Sequence, residues 1–243
     1  MFRNRTNLRR LELYTTINCS LRDRDHADYI DIVSAAQDQG FRTIKCAPFE
    51  NVVNKGTAVA DSDEGLATLG MLKDRFTQLK IRVDFHERYD SKGFLAIVPR
   101  LNELELDWIE EPFAIGDAFH LLKERTPIRS AAGELFWGSR RFQEFTDNAW
   151  VHVIMPDVKH VGGFGPLLDV IDSTAGRIEV SLHNPSGPVS AAASLHAAAD
   201  RPEVVRSFEY AFDKTLSRQA YGERIENGNL YLSGRPGWGI ELV

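Results

Sequence analysis

The chain has 243 residues, a length that suits one domain with a large core, such as a single α/β barrel. Apolar residues make up 43% and charged residues 26%, as in soluble globular proteins, and a formal net charge of −6 offers no basic patch for nucleic acid. No apolar run approaches the roughly 18 residues of a membrane span, and the charged start "MFRNRTNLRR" lacks the apolar stretch of a signal peptide.

Short β-rich runs alternate with amphipathic segments along nearly the whole chain. "LELYTTIN" reads as a strand and "DHADYIDIVSAAQDQG" as a helix, with Tyr29, Ile32, Val33 and Ala36 on one face and Gly40 at its C-cap. The two cysteines, Cys19 and Cys46, make no disulfide framework, so they are expected to be packed thiols in a reducing, cytoplasmic setting. "FRTIKCAPF" is the next strand. Its helix is expected to begin at Asp61, with Glu64 at capping-box spacing and Leu66, Leu69 and Leu72 among its apolar positions. Strand "IRVDF" then precedes helix "GFLAIVPRLNEL", "LDWIEE" precedes "DAFHLLKER", and "IRSAAGE" precedes "RRFQEFTDN". "VHVIMPD" precedes "FGPLLDVIDST", "RIEVSLH" precedes "PVSAAASLHAAA", and "VVRSFEY" is the last strand. Eight strands with seven helices between them imply right-handed crossovers, a parallel sheet and, at this length, a closed (β/α)8 barrel. The barrel is expected over residues 1–216. Residues 217–243, richer in Gly and Asn, break the rhythm and read as a small strand-and-turn appendage.

Most of the strand-like runs end in titratable groups: Lys45, Asp84, Glu110, Glu134, Asp157, His183 and Glu209. From Asp84 onward they recur every 23 to 26 residues, about one βα unit, so they hold equivalent places on successive strands. A closed barrel brings such positions together at its carboxyl-terminal mouth, where these folds hold their chemistry. Asp84, Glu110 and Glu134 would repel one another there, and a hard divalent cation relieves that repulsion. Mg²⁺ takes oxygen ligands and keeps positions open, whereas Zn²⁺ would recruit His or Cys. Bound Mg²⁺ also makes an acidic cavity attractive to a carboxylate substrate, which the net charge alone disfavours.

"VDFHERYD", "WIEEPF", "AAGE", "MPDVKHVGG" and "SLHNPSGPVSAAASLH", in this order at barrel spacing, resemble the barrel of the enolase superfamily and its mandelate racemase subgroup. The resemblance runs from about Leu11 to Tyr210, and "ENGNLYLSGRPGWGIEL" is similar to that family's carboxyl-terminal segment. It implies that Asp84, Glu110 and Glu134 bind Mg²⁺, while Glu111 matches the family's "EEP" without being a ligand. It further implies that a base removes the proton α to a substrate carboxylate and that Mg²⁺ stabilises the enediolate. His183 matches the base on one face, paired with Asp157, and an Asp on one imidazole nitrogen fixes the tautomer and raises the basicity of the other. Glu209 matches a residue that contacts the substrate carboxylate, and Lys45 can hold that carboxylate too.

The other face departs from the racemase pattern. Where racemases carry Lys-x-Lys, "KCAPF" keeps Lys45 but has Ala47 in place of the second, basic Lys. His86, two residues beyond Asp84 and on the same side of an extended strand, resembles the residue that protonates the departing 3-hydroxyl in galactonate-type acid-sugar dehydratases. Lys159 fits a base position poorly and is expected to stand behind the residues that act on substrate. Relatives carry an amino-terminal capping domain that this sequence lacks, so a fragment, a truncated product or a separate capping chain is expected. An open barrel excludes water poorly, so weak activity is expected of this chain alone. A homo-oligomer acting on a small-molecule sugar acid is expected. The expected activity is Mg²⁺-dependent dehydration to a 2-keto-3-deoxy acid. A racemase or epimerase of the same family is the alternative within it, and a non-catalytic barrel scaffold the alternative outside it.

Overall fold

Eight parallel strands close into a barrel in chain order, β1 pairing with both β2 and β8. This computed structural model describes residues 12–53, 59–231 and 235–241. The charged amino terminus and Leu11, with which the first predicted strand begins, lie outside them. The strands are β1 (Glu12–Thr16), β2 (Thr43–Cys46), β3 (Lys80–Asp84), β4 (Trp108–Glu110), β5 (Arg129–Ala132), β6 (Val153–Ile154), β7 (Glu179–Leu182) and β8 (Val205–Ala211). Between them run α1 (His26–Asp38), α2 (Asp63–Arg75), α3 (Ser91–Asn102), α4 (Leu121–Arg125), α5 (Arg140–Asn148), α6 (Phe164–Thr174) and α7 (Pro188–Asp200). The alternation predicted from sequence is therefore the observed (β/α)8 fold. Among the described residues no helix is long and apolar enough to cross a membrane.

Most of the core lies between barrel and helices. Tyr29, Ile32, Val33 and Ala36 of α1 are buried, as their spacing predicts, and the main apolar cluster continues around the ring through Leu69, Phe94, Leu122, Phe142, Leu167 and Leu195. A second, smaller cluster fills the barrel itself: Tyr14, Trp108, Ala131, Val153 and Met155. Arg82 of β3 enters this interior with its guanidinium carbon 4.2 Å from the Tyr14 ring centre and 3.6 Å from that of Trp108. Its Nε donates to Asp107 at 2.7 Å. Stacking between two aromatic faces and pairing with a carboxylate make this buried charge tolerable.

Three local expectations differ. The helix after β2 starts with a 3₁₀ turn over Ala60–Ser62, and α2 has Ser62 at its N-cap. Glu64 does not close a capping box; its carboxylate accepts from Asn51, while Ser62 Oγ meets Tyr89 OH at 2.7 Å. The segment "DAFHLLKER" splits into a 3₁₀ turn, Asp117–His120, and the five-residue α4. Of the cysteines only Cys46 is packed; Cys19 is exposed on the β1–α1 connection.

Beyond β8 the chain forms a 3₁₀ turn, Ser217–Tyr221, and an antiparallel pair, β9 (Arg224–Glu226) and β10 (Asn229–Tyr231). Asn227 and Gly228 make the tight turn, both with positive φ (51° and 67°), the conformation an Asn-Gly hairpin supplies at low cost. This turn sits on the end of α1. Gly228 N donates to Gln39 O at 2.9 Å, and a Cβ on Gly40 (φ +88°) would lie 2.5 Å from Asn227 Cα. Gly40→Ala is therefore expected to lose about 1–3 kcal/mol through backbone strain and displacement of the hairpin, read as a lower urea midpoint with unchanged slope.

Candidate functional site

Asp84 closes β3 and Glu110 closes β4, and the two are paired in register. Glu134 follows β5 by two residues. Oxygen atoms of Asp84, Glu110 and Glu134 lie within 4.8 Å of one another, close enough to share one cation. Three carboxylates make a hard, all-oxygen donor set, which suits Mg²⁺ and gives no preference to Zn²⁺.

Lys45 of β2 reaches into this cluster. Its Nζ stands 2.6 Å from Glu110 Oε1, 2.9 Å from Glu209 Oε1 and 3.1 Å from Asp84 Oδ2, with the side chain 2% exposed. Burial pushes the ammonium toward neutrality, but Glu110, Glu209 and Asp84 outweigh it and hold its pKa well above the usual lysine value. Burial likewise opposes the Asp84 carboxylate, yet Lys45 and His86 keep it well below the ordinary range. Glu110 goes the other way: burial first, then the Asp84 charge, push it well up despite Lys45. Glu209, in β8, also accepts from Asn184 N at 3.1 Å.

His183 follows β7 and faces the same cluster. Its Nδ1 is 2.8 Å from Asp157 Oδ2, while its Nε2 stands 3.1 Å from Glu134 Oε2 and 3.6 Å from Glu209 Oε2. One ring nitrogen is thus held by a buried acid and the other is turned into the cavity. Burial opposes the charged imidazole, but Glu209, Asp157 and Glu134 raise its pKa to about 9. Asp157 also takes Lys159 Nζ at 2.6 Å, and Lys159 bridges on to Ser186 Oγ at 2.6 Å. Against the opposing effect of burial, His183 and Lys159 bring Asp157 down to about 2.

His86 reaches the cluster by a different route from the one expected. β3 stops at Asp84, and His86 and Glu87 both take left-handed backbone angles (φ 47° and 55°), so the pleat of an extended strand does not orient His86. A tight turn does. It folds the imidazole back until Nε2 is 3.2 Å from Asp84 Oδ2, while Nδ1 bonds Glu50 on the β2–α2 connection. Glu50 is also paired with Arg88. Burial lowers the pKa of His86, but Asp84 and Glu50 more than reverse this and carry it to about 9. The ring remains 37% exposed.

Two further residues brace the carboxylates of this cluster. Trp108 Nε1 donates to Glu110 Oε2 at 3.2 Å, tying that carboxylate to the barrel interior. Glu111, at a left-handed φ of 38°, turns its carboxylate to accept from Gly133 N at 2.8 Å and Glu134 N at 3.3 Å. It thereby anchors the loop that presents Glu134. Burial and then the Glu134 charge raise Glu111 to about 7. Every predicted site residue lies at this mouth. Sequence spacing missed Glu50, Trp108 and the bracing role of Glu111: Glu50 lies beyond a strand end, and the second Glu of "EEP" has no periodic signal that separates it from a ligand. Glu111→Ala is expected to lose about 1–3 kcal/mol in urea denaturation, since one buried and one half-buried N–H group lose their acceptor. Glu111→Gln, which keeps an acceptor oxygen, is expected to stay close to the parent.

An "Enolase C-terminal domain-like" family model matches residues 28–243. Solved structures share the fold. An enolase from Pantoea ananatis with bound D-gluconate and Mg is 18% identical at a TM-score of 0.79, over 97% of this chain and 65% of that one. The 3,6-anhydro-D-galactonate cycloisomerase from Zobellia galactanivorans is 18% identical at 0.80, over 99% and 65%. An L-talarate/galactarate dehydratase variant liganded with Mg and L-glucarate is 18% identical at 0.78, over 100% and 57%. The chain thus spans about two thirds or less of the length of these three structures. With most of its residues matched by the family model, and with the closed barrel in place, the chain belongs to the enolase C-terminal domain-like family.

Proposed function

We propose that this barrel is the catalytic part of a Mg²⁺-dependent acid-sugar dehydratase. The observation that carries the reading is one oxygen cluster flanked by two histidines. His183 follows β7 and His86 follows β3, which are four strands apart in an eight-strand barrel and so stand on opposite sides of Asp84, Glu110 and Glu134. The sugar-acid ligands and Mg of the Pantoea and talarate/galactarate relatives support the same substrate class.

Asp84, Glu110 and Glu134 would hold Mg²⁺. Bound there, Mg²⁺ supplies fixed positive charge where negative charge develops on the substrate carboxylate. Lys45 orients that carboxylate, and Glu209 holds Lys45 in place. The neutral form of His183 takes the α-proton at Nε2, with Asp157 fixing the tautomer through Nδ1; a cation on Glu134 would favour that form by offsetting one of the charges that raise the His183 pKa. The electron pair released at the α-carbon forms the double bond as the 3-hydroxyl leaves, and His86 donates the proton that makes the leaving group water. The resulting enol tautomerises to a 2-keto-3-deoxy acid. Glu50 positions His86 as Asp157 positions His183. Ala47 places no second base on the β2 side, which disfavours two-sided racemisation.

Sugar acids screened with Mg²⁺ are expected to give a 2-keto acid detectable with semicarbazide. Exchange of the α-proton with solvent deuterium and no keto acid would mark an epimerase; neither reaction, with any Mg²⁺ bound only weakly, would mark a scaffold. His183→Asn is expected to abolish both exchange and dehydration. His86→Asn is expected to keep exchange while dehydration falls about 10²–10⁴-fold, and equal loss of both would reject the division of labour. Glu50→Gln is expected to follow His86→Asn in direction with a smaller loss.

A further inference from the structure

Lys45 and the proposed cation draw on the same oxygens. Of the three carboxylates around Lys45 Nζ, Asp84 and Glu110 belong to the cation-binding trio, while Glu209 does not. An ammonium 2.6 Å from one ligand oxygen and 3.1 Å from another cannot stay there beside a divalent ion on those same atoms without strong like-charge repulsion. The lysine stem is flexible, and Glu209 Oε1 at 2.9 Å offers a carboxylate that the ammonium can keep after giving up the other two. The ammonium is not a surface visitor either, since its side chain and those of Asp84, Glu110 and Glu209 are all at most 2% exposed.

We propose that Lys45 is an internal counter-ion that competes with the divalent cation for Asp84 and Glu110 and withdraws to Glu209 when the cation binds. Cation affinity is then set by exchange of one positive group for another, and it is weaker than the three carboxylates alone would give. The inference rests on the cation site proposed above and goes beyond it, because it assigns Lys45 a role before any substrate is present.

The test uses the full chain with Mg²⁺ or Mn²⁺ as the only added ligand. Binding is read by calorimetry for Mg²⁺ and by loss of the free-ion paramagnetic resonance signal for Mn²⁺. Lys45→Met and Lys45→Gln are expected to bind either ion about tenfold or more tightly than the parent, and Lys45→Arg is expected to stay near it. Both uncharged variants are also expected to melt lower without the ion and to gain more in Tm from millimolar Mg²⁺ than the parent does. Unchanged or weaker affinity in both, with the parent binding normally, overturns the competition and leaves the cation site standing. No binding by the parent or any variant removes the cation site and the inference with it. Failure of both uncharged variants to fold at any Mg²⁺ concentration also overturns the proposal, because the ion should replace the lost ammonium.

Discussion

Repulsion among buried carboxylates is the constraint on which this structure turns. Asp84, Glu110, Glu134, Asp157 and Glu209 come from strands or strand ends around one barrel mouth, and Asp84, Glu110, Asp157 and Glu209 are at most 2% exposed. An uncompensated buried carboxylate either takes up a proton or destabilises the fold by several kcal/mol. Lys45 answers part of this charge from β2 and His183 part of it from β7. Neither reaches the whole cluster: Lys45 holds Asp84, Glu110 and Glu209, while His183 holds Asp157 and faces Glu134 and Glu209. Closure of the barrel is what lets two cations from distant strands meet one acidic group. The excess of negative charge makes the mouth a place for a further cation.

The groups at the mouth are held by partners of opposite character rather than left to rotate. Trp108 donates to Glu110, Glu111 accepts from the Gly133 and Glu134 amides, and Asn184 N donates to Glu209. Asp157 holds His183 and is itself held by Lys159, while Glu50 holds His86 and is itself held by Arg88. Such outer contacts fix rotamers and tautomers, and chemistry that depends on sub-ångström placement needs them. Beneath them, Arg82 between Tyr14 and Trp108 stiffens the floor on which Glu110 stands.

The fold was largely legible in the sequence because burial imposes a period. The α1 face of Tyr29, Ile32, Val33 and Ala36 follows from helical spacing alone, and α5 and α6 begin and end where their predicted segments do. The strand-end groups were legible too, since one βα unit returns the chain to the same level of the barrel. What stayed hidden depends on contacts distant in sequence or on backbone angles without a side-chain signature. Glu50 meets His86 from 36 residues away across a connection with no regular period. The left-handed turn at His86 and Glu87 replaces the extended run expected to carry His86 alongside Asp84, and nothing in the side chains marks such a turn. Asp61 and Glu64 match a capping box, yet a 3₁₀ turn over Ala60–Ser62 moves the N-cap of α2 to Ser62, so Glu64 no longer stands three residues past it.

The two histidines are built alike but sit in unlike surroundings, and that asymmetry fits the division of labour proposed for them. Each has one nitrogen on a carboxylate outside the cation trio, Asp157 or Glu50, and the other turned toward a trio member, Glu134 or Asp84. His183 is 7% exposed, so a proton it accepted in the proposed reaction would be kept from direct exchange with bulk water. His86 is 37% exposed, so in the proposed reaction it could be reprotonated from solvent after giving its proton to the leaving water. Exchanging the two environments would put a leaking base on one side and an acid that cannot be reloaded on the other. In the proposed reading burial, rather than residue type, separates the roles.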